Sequence, residues 1–254
     1  MDKKKRKMGE KRPVEKKTAP ASGKKQIWRG GNMLYPVPAV MVSCCREGER
    51  PNIITVAWAG TICSDPAMVS ISVRPSRYSH DIIKDSGEFV INLVTEDLTP
   101  ACDWCGVRSG KDVDKFAYTW TDMQRTAGGA GPAASAAGRS RMHGPAAGTA
   151  DGNSLATGTA KVHGLTPGKA SKLEHAPIIL ESPVSIECKV KQIIPLGSHD
   201  MFLGEVVAVD ADEAFFDKKG RFDLSRAGLI AYSHGEYFGL GRRIGSFGYS
   251  VKKK

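Results

Sequence analysis

Residues 72–83 read SVRPSRYSHDII and follow an apolar run, Ala67 to Ile71, with the composition of a β-strand. Ser72, Arg74, Ser76, Arg77 and Ser79 crowd hydroxyls and guanidinium groups where the chain leaves that strand. Pro75 forces a turn, and Ser79 is placed to cap a helix running through His80, Asp81, Ile82 and Ile83, with Asp81 in the first turn. Backbone amides at a helix N-terminus bind phosphate, and Arg74 or Arg77 beside them would add charge-assisted hydrogen bonds. The chemistry open to this stretch is anion binding. An ordinary strand-to-helix connection with solvated arginines fits the same residues.

A second stretch, PNIITVAWAGT at 51–61, sets an aromatic among small side chains and follows it with Gly60. That composition lets a planar ring lie against exposed backbone amides and carbonyls, although a core strand with a buried Trp58 also explains it. Cys102 and Cys105 have the spacing of a redox or zinc pair, but no second pair or nearby histidine accompanies them. The structural reading is preferred there. By spacing alone, Lys115 in KDVDK reads as an exposed charged turn and His199 as a surface turn residue after Gly197-Ser198.

These residues need elements to position them, and the pattern predicts strands over Val37–Cys45, Ile53–Ala59, Ala67–Val73, Glu88–Val94, Val184–Ile194 and Met201–Val209. In the fifth, Val184, Ile186, Cys188 and Val190 alternate with Ser185, Glu187, Lys189 and Lys191, which predicts one wet face and antiparallel pairing. Helices are expected from Ser79 and from about Asp97 to Gly106, with a helical turn at Phe222–Arg226 before a strand-like Leu229–Tyr232. Few connections are long enough for crossover helices. The expectation is a mainly β protein, an antiparallel barrel with short helices at its rim.

The 254 residues have the apolar and charged content of a soluble globular chain. The net charge of +10 is concentrated in residues 1–25, with 11 Lys/Arg against 3 Asp/Glu, which leaves only +2 for the rest. We expect residues 1–26 to be a disordered basic leader, and nucleic acid to bind only non-specifically, through residues 1–25. No apolar run reaches signal-peptide or membrane length, so a soluble, cytoplasmic protein without membrane association is expected. The six cysteines read as reduced thiols. Residues 124–162 are Gly- and Ala-rich and are expected to form a flexible insertion within one domain spanning 27–254.

Taken in order, PNIITVAWAGTICSDPAMVSISVRPSRYSHDII (51–83), GEFVINLV (87–94), CGVRSGKDVDKF (105–116), APIILESPVSIECKV (176–190), GSHDMFLGEVV (197–207) and the end YFGLGRRIGSFGYS (237–250) resemble the flavin reductase-like FMN-binding split barrels of the flavoredoxin type. The resemblance runs from about Met33 to Ser250 apart from the insertion. It implies a Greek-key split barrel that dimerises and binds FMN, with FAD the less favoured flavin. Carried over by position, Asn52, Thr55, Val56, Ala57 and Trp58 would line the ring and ribityl side. Ser72, Val73, Arg74, Ser76, Arg77 and Ser79 would form the phosphate cradle.

Lys115 and His199 fall at further flavin-contact positions of the family, His199 as the candidate catalytic residue, and either Tyr232 or Tyr237 would pack on the cofactor. The activity implied is an oxidoreductase passing electrons from NAD(P)H through bound flavin to a flavin or redox-protein acceptor. The alternative is a non-enzymatic electron carrier reduced by a partner protein. The absence of GxGxxG at a strand-to-helix junction excludes a Rossmann site for NAD(P)H.

Overall fold

A computed structural model describes residues 21–118 and 164–251. The chain divides into two units, Met1–Met33 and Leu34–Lys254. In the first, residues 21–33 form no helix or strand. The expected leader lies mostly, and the 124–162 insertion wholly, outside the described residues.

The second unit is built on strands β1 (Val37–Pro38), β2 (Val40–Cys44), β3 (Asn52–Val56), β4 (Ala59–Ser64), β5 (Ala67–Val73) and β6 (Glu88–Leu93). They are followed by β7 (Pro167–Gly168), β8 (Ile178–Ile179), β9 (Val184–Pro195), β10 (Asp200–Ala211), β11 (Ile230–Ser233) and β12 (Glu236–Gly239). Helix α1 spans Tyr78–Ser86 and α2 spans Thr99–Val107. Seven strands form one antiparallel sheet in the order β3-β2-β6-β9-β10-β5-β4. Its two edge strands, β3 and β4, are consecutive in the chain and joined by only Ala57 and Trp58. A sheet whose far edges are tied by two residues has to curl. The result is the expected split barrel.

Its interior is filled by Val40, Val42, Ile54, Val56, Ile71, Val73, Phe89 and Phe202, with Ile82 and Ile83 of α1. On the other face Met41 and Ile53 pack on Leu98, Cys102, Trp104 and Cys105 of α2 and its entry. This double burial leaves every residue of β2 buried, Ser43 included, where a half-wet strand would alternate. Gly204 sits at a register shift of β10, where a Cβ would stand 2.6 Å from Phe89 Cζ.

Several boundaries differ from expectation. The strand expected over Ile53–Ala59 ends at Val56, because the chain crosses at Ala57-Trp58 to the opposite edge and begins β4. Ser79 does not cap α1: Arg77 is the N-cap residue, no side chain caps the helix, and Ser79 accepts a hydrogen bond from Asn52 Nδ2 at 2.7 Å. Helix α2 starts at Thr99 rather than Asp97 and runs past Gly106 to Val107. Only Leu224–Arg226 of the expected helical turn is helical, as a 3-10 turn.

The wet face expected on β9 is dry at Ser185 and Glu187. Residues 170–176 cover it, and six consecutive amides explain how. Those of Ser171, Lys172 and Leu173 donate to Glu187, and those of Glu174, His175 and Ala176 to Glu88. Two buried carboxylates thus satisfy a whole loop of donors.

Asp210, diagonal to Glu187 across β9 and β10, has a buried Oδ2 without a hydrogen-bond partner among the described residues. Burial and then Glu187 push its carboxyl up to about 6. A carboxyl raised in the fold stabilises below its ordinary range and loses that contribution as pH rises through the folded value. Asp210→Asn, whose amide can donate to Glu187, is therefore expected to raise the melting temperature by about 2–4 °C near pH 7.5. The gain should fade towards about pH 5, which thermal unfolding at the two pH values checks.

Candidate functional site

A cleft of about 120 Å³ opens where β3, the start of α1 and the segment after α2 meet. Asn52, Ser76, Arg77, Ser79 and Lys115 all line it, so five of the expected residues come together from three parts of the chain. Arg77 and Ser76 are exposed at its mouth, while Asn52, Ser79 and Lys115 form its buried floor. Asn52 is held by its bond to Ser79, which fixes β3 against the first turn of α1.

Lys115 is 2% exposed, in contrast to the charged surface turn that its spacing suggested. Its Nζ donates to the carbonyls of Ile53 at 2.6 Å and Cys105 at 2.7 Å. An ammonium has three N–H donors, so one remains for the cleft. Among the described residues no carboxylate pairs with it. Burial above all, and the charge of Arg77, lower its pKa to about 8. A buried cation that has only carbonyl partners and faces a second cation is stabilised by an anion between them.

The other expected residues divide into two groups. Trp58 and His199 meet beside the cradle loop, their rings 4.5 Å apart and inclined at 59°. The carbonyl of Trp58 accepts from the amide of Ser72 at 2.9 Å. Trp58 stays 38% exposed, which leaves part of its ring open to a planar ligand and contradicts a buried core tryptophan. Burial and then the charge of Arg74 lower the pKa of His199, so its imidazole is neutral at neutral pH. Ala57 is half-buried in the two-residue link.

The rest are committed elsewhere. Val56 and Val73 put their side chains into the barrel core, which leaves only their backbone for a ligand. Thr55 Oγ1 donates to the carbonyl of Cys102. Tyr232 and Tyr237 pack on each other, their rings 5.5 Å apart, and Tyr237 Oη donates to Asp103; neither lines the cleft.

Sequence reasoning passed over Arg108, Ser109, Gly110 and Tyr78, which complete the lining with Ile54 and Cys105. Val107-Arg108-Ser109 repeats the valine, arginine and hydroxyl composition of Val73–Ser76, and that repetition was the available signal. Arg50 Nη2 donates to the carbonyl of Gly110 at 2.8 Å and holds this segment in place.

The CxxC pair is structural. Cys102 and Cys105 are buried and unbridged, and burial pushes both thiols up to about 12. No cluster of metal-ligating side chains occurs among the described residues, and no helix there is long and apolar enough to cross a membrane.

The fold is an antiparallel split barrel, and its cleft is lined by cationic and hydroxyl side chains. The flavin reductase like domain matches residues 32–139 and 146–241, and the chain belongs to that family. The family ties it to flavin-related redox chemistry. A protein of Archaeoglobus fulgidus is 25% identical over 205 residues, covering 81% of this chain and 88% of its own length. The flavoredoxin of Desulfovibrio vulgaris (Miyazaki F) superposes with a TM-score of 0.66 at 24% identity, over 90% of this chain and all of its own. A putative flavin reductase with a split barrel domain from Shewanella frigidimarina superposes with a TM-score of 0.59 at 18% identity, over 84% of this chain and 86% of its own.

Proposed function

We propose that this protein is an FMN-dependent oxidoreductase that takes electrons from NAD(P)H and delivers them to a flavin or redox-protein acceptor. The observation that carries the reading is the meeting of Arg77, Lys115, Ser76 and Ser79 in one cleft, with the open Trp58–His199 face near Arg74 of the same loop. The donor set fits a phosphate: the cations Arg77, Arg108 and Lys115, the hydroxyls of Ser76, Ser79 and Ser109 and an uncapped helix start supply N–H and O–H groups to one small volume. A cleft of this size suits the phosphate end of FMN, while the ring belongs outside it. Its open mouth also leaves room for the extra nucleotide of FAD, so FMN is favoured by economy rather than by exclusion.

Bound flavin supplies the two-electron chemistry, accepting hydride and passing electrons on. The chain's own residues bind and orient. Arg77, Lys115, Ser76 and Ser79 hold the anionic end, and Asn52 keeps the floor rigid through Ser79. Trp58 offers an apolar face, and neutral His199 beside it can exchange a hydrogen bond without adding charge. Backbone groups of Val56, Ala57 and Val73 would meet the ribityl and ring edge. Tyr232 or Tyr237, neither of which lines the cleft, would pack on the cofactor from the second protomer of a homodimer. We read the active form as that homodimer, working in the cytoplasm.

The test is anaerobic addition of NADH or NADPH to the FMN-loaded protein, followed by visible absorption. Bleaching of the flavin bands supports the oxidoreductase. Bands that persist until a reduced partner protein is added would replace it with an electron carrier.

A further inference from the structure

The loop from Arg74 to Arg77 and the first turn of α1 that follows it are flanked by two attachments to one carboxylate. Val73, the last residue of β5, pairs in the ladder with Asp200, the first residue of β10. His80, in the first turn of α1, places Nε2 2.9 Å from Asp200 Oδ2. Asp200 therefore stands at the neck of the loop, joined to one end through the backbone and to the other through an imidazole. Between the two attachments lie Arg74, Ser76, Arg77 and Ser79.

The surroundings of His80 give its ring one orientation. It is 5% exposed, its Nδ1 lies 2.7 Å from Asp81 Oδ1, and it meets Phe202 edge-on at 5.3 Å and 75°. Asp81, Asp200 and Phe202 are thus the groups that face it.

We infer that His80 is a positioning residue whose bond to Asp200 closes the cradle loop and holds Ser76, Arg77 and Ser79 in binding geometry before the anion arrives. This rests on the reading of the cleft as a flavin phosphate site. A loop open at its neck would have to be ordered on binding, and that ordering entropy would be subtracted from affinity. The effect falls on the phosphate end alone.

The experiment titrates the full chain with FMN and with riboflavin, which lacks the phosphate, and compares wild type with His80→Asn and His80→Gln. The Gln amide nitrogen reaches the place of Nε2 and can keep the bond to Asp200, whereas the Asn amide reaches only the place of Nδ1. His80→Asn is expected to lower FMN affinity by about tenfold with riboflavin affinity unchanged, and His80→Gln to retain most of the preference for FMN. Adding Asp200→Asn to His80→Asn should cost nothing further. Equal FMN preference in wild type and His80→Asn would overturn the inference and leave the phosphate site standing. Equal losses for both ligands in His80→Asn, or equal losses of preference in both variants, would also overturn it. If wild type binds FMN and riboflavin alike, the phosphate site and the clasp fall together.

Discussion

Lys115→Met is expected to weaken FMN binding by about a hundredfold while leaving the chain folded. Lys115 is the buried cation of the cleft, and its two carbonyl partners, Ile53 and Cys105, satisfy it without neutralising it. Methionine fills a similar volume, so packing loss is small and the missing charge-assisted bond dominates. The same residue gives the binding a pH dependence whose sign follows from its lowered pKa of about 8. Below that value the ammonium is charged and attracts the anion; above it the amine is neutral. FMN affinity should fall by roughly tenfold between about pH 7 and 9.5, and the slope should vanish in Lys115→Met. Titration of flavin fluorescence at a series of pH values reads both effects. A wild-type affinity that stays flat through this range would remove Lys115 from the phosphate site.

Gly110→Ala is expected to close the cleft. A Cβ there would stand 2.1 Å from Asn52 Oδ1 and 2.8 Å from Tyr78 Cδ1. Asn52 is buried and bonded to Ser79, so it cannot move aside without breaking the link between β3 and α1. The substitution should cost about 1–3 kcal/mol of stability and lower FMN affinity by more than about tenfold, as overpacking shifts the floor residues. Melting temperature and FMN titration on the same sample separate the two losses. Unchanged FMN affinity would show that Asn52 and Tyr78 are not part of the binding surface.

Much of the cradle was legible in the sequence because its chemistry is local. Ser76, Arg77 and Ser79 lie within four residues of one another, and Pro75 and Asp81 mark the turn and the helix start around them. Trp58 with its small neighbours was legible for the same reason. What sequence could not supply was the long-range partner set. Lys115 looks like a surface residue within its run of charges, and only the fold carries it beneath β3. Ser79 has a capping residue's type and place, yet Asn52, 27 positions away, takes its side chain.

The strand pattern was readable where burial alternates and misleading where a second layer covers it. Glu187 and Ser185 read as solvent-facing because their partners are distant in sequence, the loop amides of residues 171–173 for Glu187 and Asn92 Oδ1 for the Ser185 hydroxyl. The β3–β4 break was hidden because Ala57 and Trp58 are acceptable strand residues. Closure of the barrel, rather than local propensity, ends the strand there.

The measurement that bears most directly on the cleft is the ratio of FMN to riboflavin affinity for the wild-type chain at neutral pH. The two ligands share the ring and ribityl chain and differ in the phosphate, so the ratio isolates what Arg77, Lys115, Ser76 and Ser79 contribute. We expect FMN to bind at least about a hundredfold more tightly, the worth of two charge-assisted contacts in a partly buried site. Equal affinities, or no binding of either flavin, would contradict the assignment of the cleft to a flavin phosphate.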